Sequence, residues 1–426
     1  MRVLLLAAHA SPEYISVPLL GWCNVSTLSR MVDAHVVTSD KYQAGIERAG
    51  WTEGKEFTAI PNAHIERATS GVAKRIQGDP NKAWTVRVAF SAIDNYAFEI
   101  AAWRRFKPAL QRGDFDLVHR VTPSSPTIPS IVARKCKRLG VPFVVGPLNG
   151  GLPWPKGFDA VLRSEREWMT YVRSVYKFMP GYRSTLSCAT AIIAGARAVL
   201  DEIDPQYHDK CVYIPENAID THRFPCEAVR RDAPLPLRVA FLGRLVPYKG
   251  CGTLIAALAP MMREGKVVLD ILGDGPELAK LDQLVADERV GHCTTFHGWV
   301  PHAEIQNILR RAHVLGFPSI REFGGAVVLE AMALGVVPVV CDYGGPAELI
   351  APDCGFGIPL TTPGELVDGV RAAFARILDR PGMLEAMSLN AQRRISRLFT
   401  WEAKARQICQ VYEWALGKRQ QKPSFG

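Results

Sequence analysis

The sequence predicts an α/β fold with two domains, each built on a parallel β-sheet. With 426 residues the chain is long for one hydrophobic core, and its 48% of apolar residues can fill two. Apolar runs of strand length alternate with helix-forming segments, and loops containing glycine or proline separate them. Strand, loop, helix and strand in succession favour parallel sheets whose strand ends carry the functional site.

The first half begins with an apolar run at residues 2–7, followed by a proline-containing loop, a helix to Arg30 and a strand at 34–38. The opening run is short for a signal peptide and lacks a plausible cleavage region, so we interpret it as a buried first strand. Because no run of about 18 apolar residues is present, we expect no membrane-spanning segment.

Further elements of the first half follow the same alternation. They are an aromatic-rich helix at 92–106, strands at 115–119, 141–145 and 190–194, and a basic helix containing residues 134–138. Asp114 and Asp116, with one residue between them, have the spacing of a metal-binding pair in another class of enzymes. We interpret them as ordinary acidic residues that precede a strand.

A segment at 161–183 combines basic and aromatic residues. On a helical wheel one face carries Trp168, Val172, Val175, Tyr176 and Met179, and the opposite face carries Arg166, Arg173 and Lys177. A helix lying on a membrane surface has this pattern, and so does a core-facing helix with a charged exterior. Because Glu165 and Glu167 dilute the positive charge, we favour the core-facing interpretation.

The second half repeats the alternation after a charged, proline-rich connector at 227–236. Strands or strand–loop units are predicted at 237–242, 269–276, 296–300 and 314–317, with a final amphipathic helix from 399 to about 416. In the loop after the first of these strands, Arg244 and Lys249 stand five positions apart between glycines. Two such cations can close on a diphosphate.

The stretch from Ser319 to Gly345 combines a loop, a helix and a strand. Gly324 and Gly325 let a ligand approach the backbone at a helix start, where free N–H groups and the helix dipole favour an anion such as phosphate. Glu330 lies about one turn into this helix, where a carboxylate can accept hydrogen bonds from the two hydroxyls of a ribose. Glu322 precedes the glycines in the same loop.

These two motifs resemble those of family 4 glycosyltransferases, which are retaining enzymes of the GT-B fold. The resemblance rests on Gly-Arg-Leu, three residues and Lys-Gly at 243–250, and on Glu322, seven residues and Glu330 running into Ala-Met-Ala-Leu-Gly. It implies two Rossmann-like domains facing across a cleft: an acceptor-side domain at 1–215 and a nucleotide-sugar-binding domain at 216–398. Residues 399–426 are then expected to form a helix that crosses back to the first domain, followed by a polar tail. Residues 213–220 resemble the segment through which the chain of this family passes from the first domain to the second.

The resemblance also implies roles for individual residues. The catalytic set is Arg244, Lys249, Glu322 and His119, with no metal and no cofactor. The donor-binding set is Gly243, Gly273, Val300, Phe323, Gly324, Gly325, Ala326 and Glu330, and the acceptor-side set is Asn149, Gly150 and Gly151. His119 is predicted to end a strand and approach the donor sugar; a hydrogen-bonded core histidine is the alternative.

Charge and cysteine content suggest partners and location. Residues 1–200 carry a net charge of +11 and residues 201–426 one of −2, so the first domain is expected to meet an anionic acceptor or an acidic membrane surface. No nucleic-acid partner is expected. The ten cysteines show no metal-ligand or disulfide pattern, which is typical of reduced thiols in a cytoplasmic protein. We expect a cytoplasmic enzyme, peripheral at the inner face of the membrane.

The predicted reaction moves a sugar from a nucleotide-sugar, with UDP- and GDP-sugars expected as donors, to a hydroxyl acceptor that is a glycan, a lipid-linked or a small molecule. Two alternatives stay open within the same scaffold: an epimerase of sugar nucleotides, and a phosphorylase, which needs a lysine bound to pyridoxal phosphate. A non-catalytic nucleotide-sugar-binding protein is a third, because a fold does not determine function.

Overall fold

The computed structural model describes residues 1–62, 83–164, 176–177, 179–224 and 235–425. The chain divides into two compact units: the first contains Met1–Gly150, Met169–Glu216 and Lys404–Gly426, and the second contains Gly151–Trp168 and Asn217–Ala403. Residues 151–168 therefore group with the second unit, whereas the sequence analysis assigned them to the first domain. Most of the predicted helix at 161–183, and most of the connector at 227–236, lie outside the described residues.

Each unit contains one sheet in which all strands are parallel. The first sheet has seven strands in the order β3-β2-β1-β4-β5-β6-β7: β1 Arg2–Ala7, β2 Asp33–Ser39, β3 Phe57–Ile60, β4 Leu117–Thr122, β5 Phe143–Leu148, β6 Ala191–Ala194 and β7 Cys211–Tyr213. The second has six in the order β10-β9-β8-β11-β12-β13: β8 Leu237–Leu242, β9 Val267–Leu272, β10 Thr294–Gly298, β11 Val314–Phe317, β12 Val337–Cys341 and β13 Phe356–Ile358.

Helices connect the strands, as parallel pairing requires. In chain order they are α1 Val17–Leu28, α2 Gln43–Arg48, α3 Ala83–Arg112, α4 Val132–Leu139, α5 Asp159–Ser164, α6 Tyr182–Cys188, α7 Arg197–Glu202, α8 Cys251–Arg263, α9 Leu278–Asp287, α10 His302–Leu309, α11 Ala326–Ala333, α12 Gly345–Leu349, α13 Pro363–Asp379, α14 Met383–Leu398 and α15 Trp401–Ala415. None of those in the described part of the chain is long and apolar enough to cross a membrane.

Buried apolar strands form the core of each unit. In the first unit, β1 residues such as Val3 and Leu5 pack with Ile408 and Val411 of α15, so the end of the chain contributes to this core. In the second, Val239 of β8 belongs to a separate core cluster. No disulfide bond joins the cysteines of the described residues.

Strand β4 carries two buried polar side chains in succession, His119 and Arg120. The sequence analysis predicted a strand that ends at His119, and this is wrong by three residues, because β4 continues to Thr122. The polar residues from His119 onward suggested that the buried strand had ended. The strand stays buried through them because they find partners inside the unit.

Arg120 lies 3.9 Å from the carboxylate of Glu99, and the side chains of both are 1% exposed. Its guanidinium also donates to the carbonyl of Ile128 at 2.7 Å. The other carboxylate oxygen of Glu99 accepts from the Ser130 hydroxyl at 3.0 Å and the Ile131 amide at 2.8 Å. Burial of two charges is tolerated when they are paired and hydrogen-bonded, and this pair holds the loop between β4 and α4.

His119 is fully buried and both of its ring nitrogens are engaged. Nε2 lies 2.7 Å from the carbonyl oxygen of Gly146 and Nδ1 lies 2.6 Å from the Tyr412 hydroxyl. Since a carbonyl can only accept, Nε2 carries the proton and Nδ1 accepts from Tyr412. Burial lowers the pKa of His119 from 6.5 to about 4, so the neutral ring is the stable form.

This arrangement predicts how stability depends on pH. The pKa of His119 is depressed on folding, so its contribution is complete above pH 6.5 and is lost as the pH falls from 6.5 towards 4. We expect wild-type protein to lose about 2–3 kcal/mol more than His119→Gln between pH 7 and pH 4.5, at about 1.4 kcal/mol per pKa unit. Urea unfolding at a series of pH values measures this difference.

The exposed His292 of the second unit provides the control, and His292→Gln should follow the wild-type curve. Parallel curves for wild-type protein and His119→Gln would contradict the assignment of a neutral, buried ring.

Candidate functional site

Loops that follow three neighbouring strands of the second sheet enclose a cavity of about 390 Å³. The lining residues come from the ends of β8, β9 and β10 and from α10: Leu242, Gly243, Arg244, Leu272, Gly273, Asp274, Trp299, Val300 and Ile305. The structure thus brings together four residues that the sequence analysis assigned to catalysis or donor binding, namely Gly243, Arg244, Gly273 and Val300. The carboxyl ends of parallel strands are the usual place for a ligand in such sheets.

The backbones of these loops approach so closely that glycine is required. Gly273 has φ of +143°, and a Cβ built there would lie 2.0 Å from the carbonyl oxygen of Gly243. The Gly243 amide donates to the Leu272 carbonyl at 3.0 Å, and the Leu245 amide donates to the Asp274 carbonyl at 2.9 Å. The loop that carries Arg244 is therefore fixed against the next strand end.

Trp299 lines this cavity with 75% of its surface exposed. An exposed indole beside a cavity presents a flat apolar face on which a planar ring can stack. Trp299 was not among the predicted site residues. Its position in the sequence, directly before the predicted Val300, was the signal that could have identified it.

The second feature of the site is an ion pair between Lys249 and Glu322, 73 residues apart. Lys249 Nζ donates to the Glu322 carboxylate, and the two side chains are 17% and 20% exposed. The Tyr248 carbonyl accepts from the Ile320 amide at 2.9 Å and from the Ser319 hydroxyl at 3.1 Å. These bonds pin the loop after β8 to the loop after β11, so the predicted cation and the predicted carboxylate meet.

Helix α11 begins directly after this loop. Its N-cap is Gly325, with φ of +60°, and no side chain caps the helix. The backbone amides at this helix start and the positive end of the helix dipole favour an anion. Glu330 lies in the second turn and is largely buried. A Cβ at Gly324 would lie 2.1 Å from the side-chain amide nitrogen of Asn217, a neighbour that was not predicted from the sequence.

Helix α12 supports the other side of the loop that carries Glu322. The Gly345 amide donates to the Glu322 carbonyl at 3.0 Å. A Cβ at Gly345 would lie 2.0 Å from the Phe323 carbonyl, and one at Gly344 would lie 2.6 Å from the Glu322 carbonyl. The two glycines allow the backbones to touch, which places Phe323 and the glycines before α11 in one defined path.

The remaining predicted residues are distributed over both units. His119 lies in the first unit, where Tyr412 and Gly146 occupy its ring nitrogens; this geometry favours the core alternative over contact with a sugar. Asn149 and Gly150 end the first segment of that unit, and Gly151 begins the segment grouped with the second.

The side-chain amide of Asn149 donates to Glu216 Oε1 at 2.8 Å. Burial raises the pKa of Glu216 to about 7.

Asp114 and Asp116 each take a separate partner. Asp114 accepts from Arg112 at 2.6 Å, and Asp116 accepts from the backbone amide of Arg2 at 2.6 Å. The carboxylate of Asp114 therefore binds a nearby arginine just before β4, and the carboxylate of Asp116 binds the backbone at the start of β1.

Part of the chain matches a known family model. Residues 233–394 match the model of glycosyl transferases group 1. The chain is 33% identical over 214 residues to glycogen synthase of Mycobacterium tuberculosis, which is 50% of this chain and 51% of that protein, so it spans about half the length of this relative. It is 26% identical over 312 residues to MMP alpha-(1->4)-mannosyltransferase of Mycolicibacterium hassiacum, covering 72% of each.

The crystal structure of Anabaena Alr3699/HepE in complex with UDP-glucose is similar over 97% of this chain and 100% of that chain, with a TM-score of 0.53 and 18% identity. At this identity the similarity concerns the fold. The chain has the GT-B fold, and its residues 233–394, which include the cavity and the Lys249–Glu322 pair, match the glycosyl transferases of group 1.

Proposed function

We propose that the protein is a glycosyltransferase that moves a sugar from a nucleotide-sugar donor to a hydroxyl acceptor, with retained configuration and without a metal ion. The observation that carries the proposal is the Lys249–Glu322 pair, held beside an uncapped helix start on the same loop system as the Arg244 cavity. Cations, a carboxylate and free amides are the groups that a sugar diphosphate needs. The relatives named above are sugar transferases or synthases, and the structure of HepE holds UDP-glucose.

Each part of the donor has a counterpart among these residues. The nucleobase fits the cavity lined by Trp299 and Val300, Glu330 holds the ribose hydroxyls, and Arg244 with Lys249 binds the diphosphate. The pairing of Lys249 with Glu322 holds a partly buried ammonium in position before the donor arrives. On donor binding the same lysine contacts the phosphate, and Glu322 is then available to the sugar hydroxyls.

The chemistry proceeds on one face of the sugar. The acceptor oxygen forms a bond to the anomeric carbon while the bond from that carbon to the phosphate oxygen breaks. The proton of the acceptor hydroxyl passes to the departing phosphate, so no protein nucleophile or base is required. Arg244 and Lys249 stabilise the negative charge that grows on the diphosphate, the role that a divalent metal has in other transferases.

A thermal-shift screen with UDP-, GDP- and ADP-glucose tests donor binding, because a ligand that binds only the folded state raises the melting temperature. For the nucleotide that binds, Trp299→Ala should weaken affinity about tenfold or more, since stacking of a base on an aromatic ring contributes about 1–3 kcal/mol. Titration calorimetry measures the change. Trp299→Phe keeps a ring and should retain most of the affinity; equal affinities for wild-type protein and Trp299→Ala would place the base elsewhere.

Turnover tests the catalytic assignment. Arg244→Ala and Lys249→Ala should each reduce the rate of nucleoside diphosphate release by about 100-fold, because each removes a charge that stabilises the transition state. Lys280→Ala, which removes an exposed cation of α9, is the control and should act like wild-type protein.

Near-normal rates for both variants, or a strict requirement for Mg²⁺ or Mn²⁺, would contradict the proposed mechanism. Tight donor binding without diphosphate release over a broad acceptor panel would instead support a non-catalytic binding protein.

For the acceptor we propose an anionic or lipid-linked molecule, presented at an acidic membrane by the basic first half. Helix α4 exposes three cations, Arg134, Lys137 and Arg138. Their joint replacement by Gln should reduce binding to vesicles that contain phosphatidylserine, and binding by wild-type protein should fall as salt rises. Sedimentation with the vesicles measures both. Lys266→Gln/Lys280→Gln in the second half is the control; salt-independent binding would argue against an electrostatic contact.

A further inference from the structure

Residues 151–158 come from the first half of the sequence, but they group with the second unit and pack on the loops of the candidate site. We call this segment, Gly-Leu-Pro-Trp-Pro-Lys-Gly-Phe, the strap. It ends at Phe158, which is 3% exposed and lies in the core of the second unit. The strap is therefore anchored in that unit and is not a loose connection.

The strap contacts the residue that precedes Glu322. Arg321 Nε donates to the carbonyl of Leu152 at 3.2 Å, and the Arg321 guanidinium lies 4.8 Å from the ring centroid of Trp154. A cation over an indole face at this distance is attracted by the ring electrons. Two residues of the strap, Leu152 and Trp154, thus contact Arg321.

The strap also contacts the residue that precedes Lys249. The ring of Trp154 meets the ring of Tyr248 edge to face, with centroids 6.3 Å apart. Helix α5, which follows the strap, packs against the same Pro247–Lys249 turn. One tryptophan therefore touches the sequence neighbours of both members of the ion pair.

A third contact fixes the strap from the side of α12. The Tyr343 hydroxyl donates to the carbonyl of Pro153 at 2.8 Å. A Cβ at Gly344 would lie 2.6 Å from the side chain of Leu152, so glycine is needed for the strap to lie this close. A Cβ at Gly344 would also lie 2.6 Å from the carbonyl oxygen of Glu322, so the strap and the loop that carries Glu322 belong to one packed layer.

We propose that the strap holds the loops of Lys249 and Glu322 so that the two side chains stay paired. Trp154 is then a positioning residue of the site, and it acts through Tyr248 and Arg321. The proposal deepens the proposed function, because it assumes that this ion pair is catalytic. Trp154 contacts the sequence neighbours of the pair, so the proposed effect is on the geometry of the two loops. Small displacements of charged groups are costly in a site that depends on preorganised charge.

Amide hydrogen exchange of the ligand-free protein tests the mechanical part. Trp154→Ala should raise exchange about tenfold in peptides that cover residues 246–250 and 319–325, through loss of the ring contacts. Trp154→Phe should raise it less, and Tyr343→Phe, which removes one hydroxyl, should raise it about threefold. Trp51→Ala is the control. The ring centroids of Trp51 and Trp22 lie 4.9 Å apart in the first unit, and loss of this contact should leave the exchange of both peptides unchanged.

Kinetics with UDP-glucose tests the functional part. Trp154→Ala should lower kcat and kcat/KM for UDP release together, about tenfold, while the affinity for UDP stays within about twofold. Trp154→Phe should recover most of the rate, which a general loss of stability would not explain.

The two measurements separate the possible failures. Unchanged exchange in both peptides would show that the strap does not hold these loops and would overturn the proposal. Raised exchange with an unchanged rate would also overturn it, since the pair would then not depend on the strap. If wild-type protein releases no UDP from UDP-glucose, the exchange experiment still decides whether the strap holds the loops.

Discussion

The ion pair between Lys249 and Glu322 is the contact on which the candidate site depends. The two residues are far apart in the sequence and belong to loops that follow β8 and β11, which are neighbours in the second sheet. Parallel pairing of these strands brings their carboxyl ends to one edge, and the bonds to the Tyr248 carbonyl then close the gap between the loops. A mostly buried cation in this position needs a carboxylate partner, and Glu322 provides it.

Close backbone contact is the means by which the second unit builds this site. Gly273 against Gly243, and Gly345 against Phe323, are contacts at which any Cβ would collide with a carbonyl oxygen. Residues without side chains leave amides and carbonyls to define the shape of the loops. The charged side chains then project from a rigid frame, which is the arrangement that preorganised electrostatic stabilisation requires. The strap extends the same principle, because Gly344 lets Leu152 lie against the loop that carries Glu322.

The first unit is organised around buried polar groups. Glu99 and Arg120 neutralise each other and hold the loop between β4 and α4, while His119 joins the sheet to Tyr412 of α15. Tyr412 also belongs to the core of this unit, so the last helix is fixed by apolar packing and by one hydrogen bond to a strand. These polar residues resemble site residues in the sequence, since both kinds interrupt apolar runs at strand ends. Only their partners distinguish the two.

The sequence by itself determined the α/β class, the parallel sheets, the GT-B resemblance and the residues of the second half that gather at the site. These features are local: strand and helix periods, glycines at tight turns, and charges at motif spacing are properties of short segments. The tertiary structure decided which residues meet. Whether His119 faces a ligand, whether Trp299 is exposed, and which unit receives residues 151–168 depend on contacts between segments distant in the chain. A side chain's environment is a property of the folded surface around it, and no short stretch of sequence contains it.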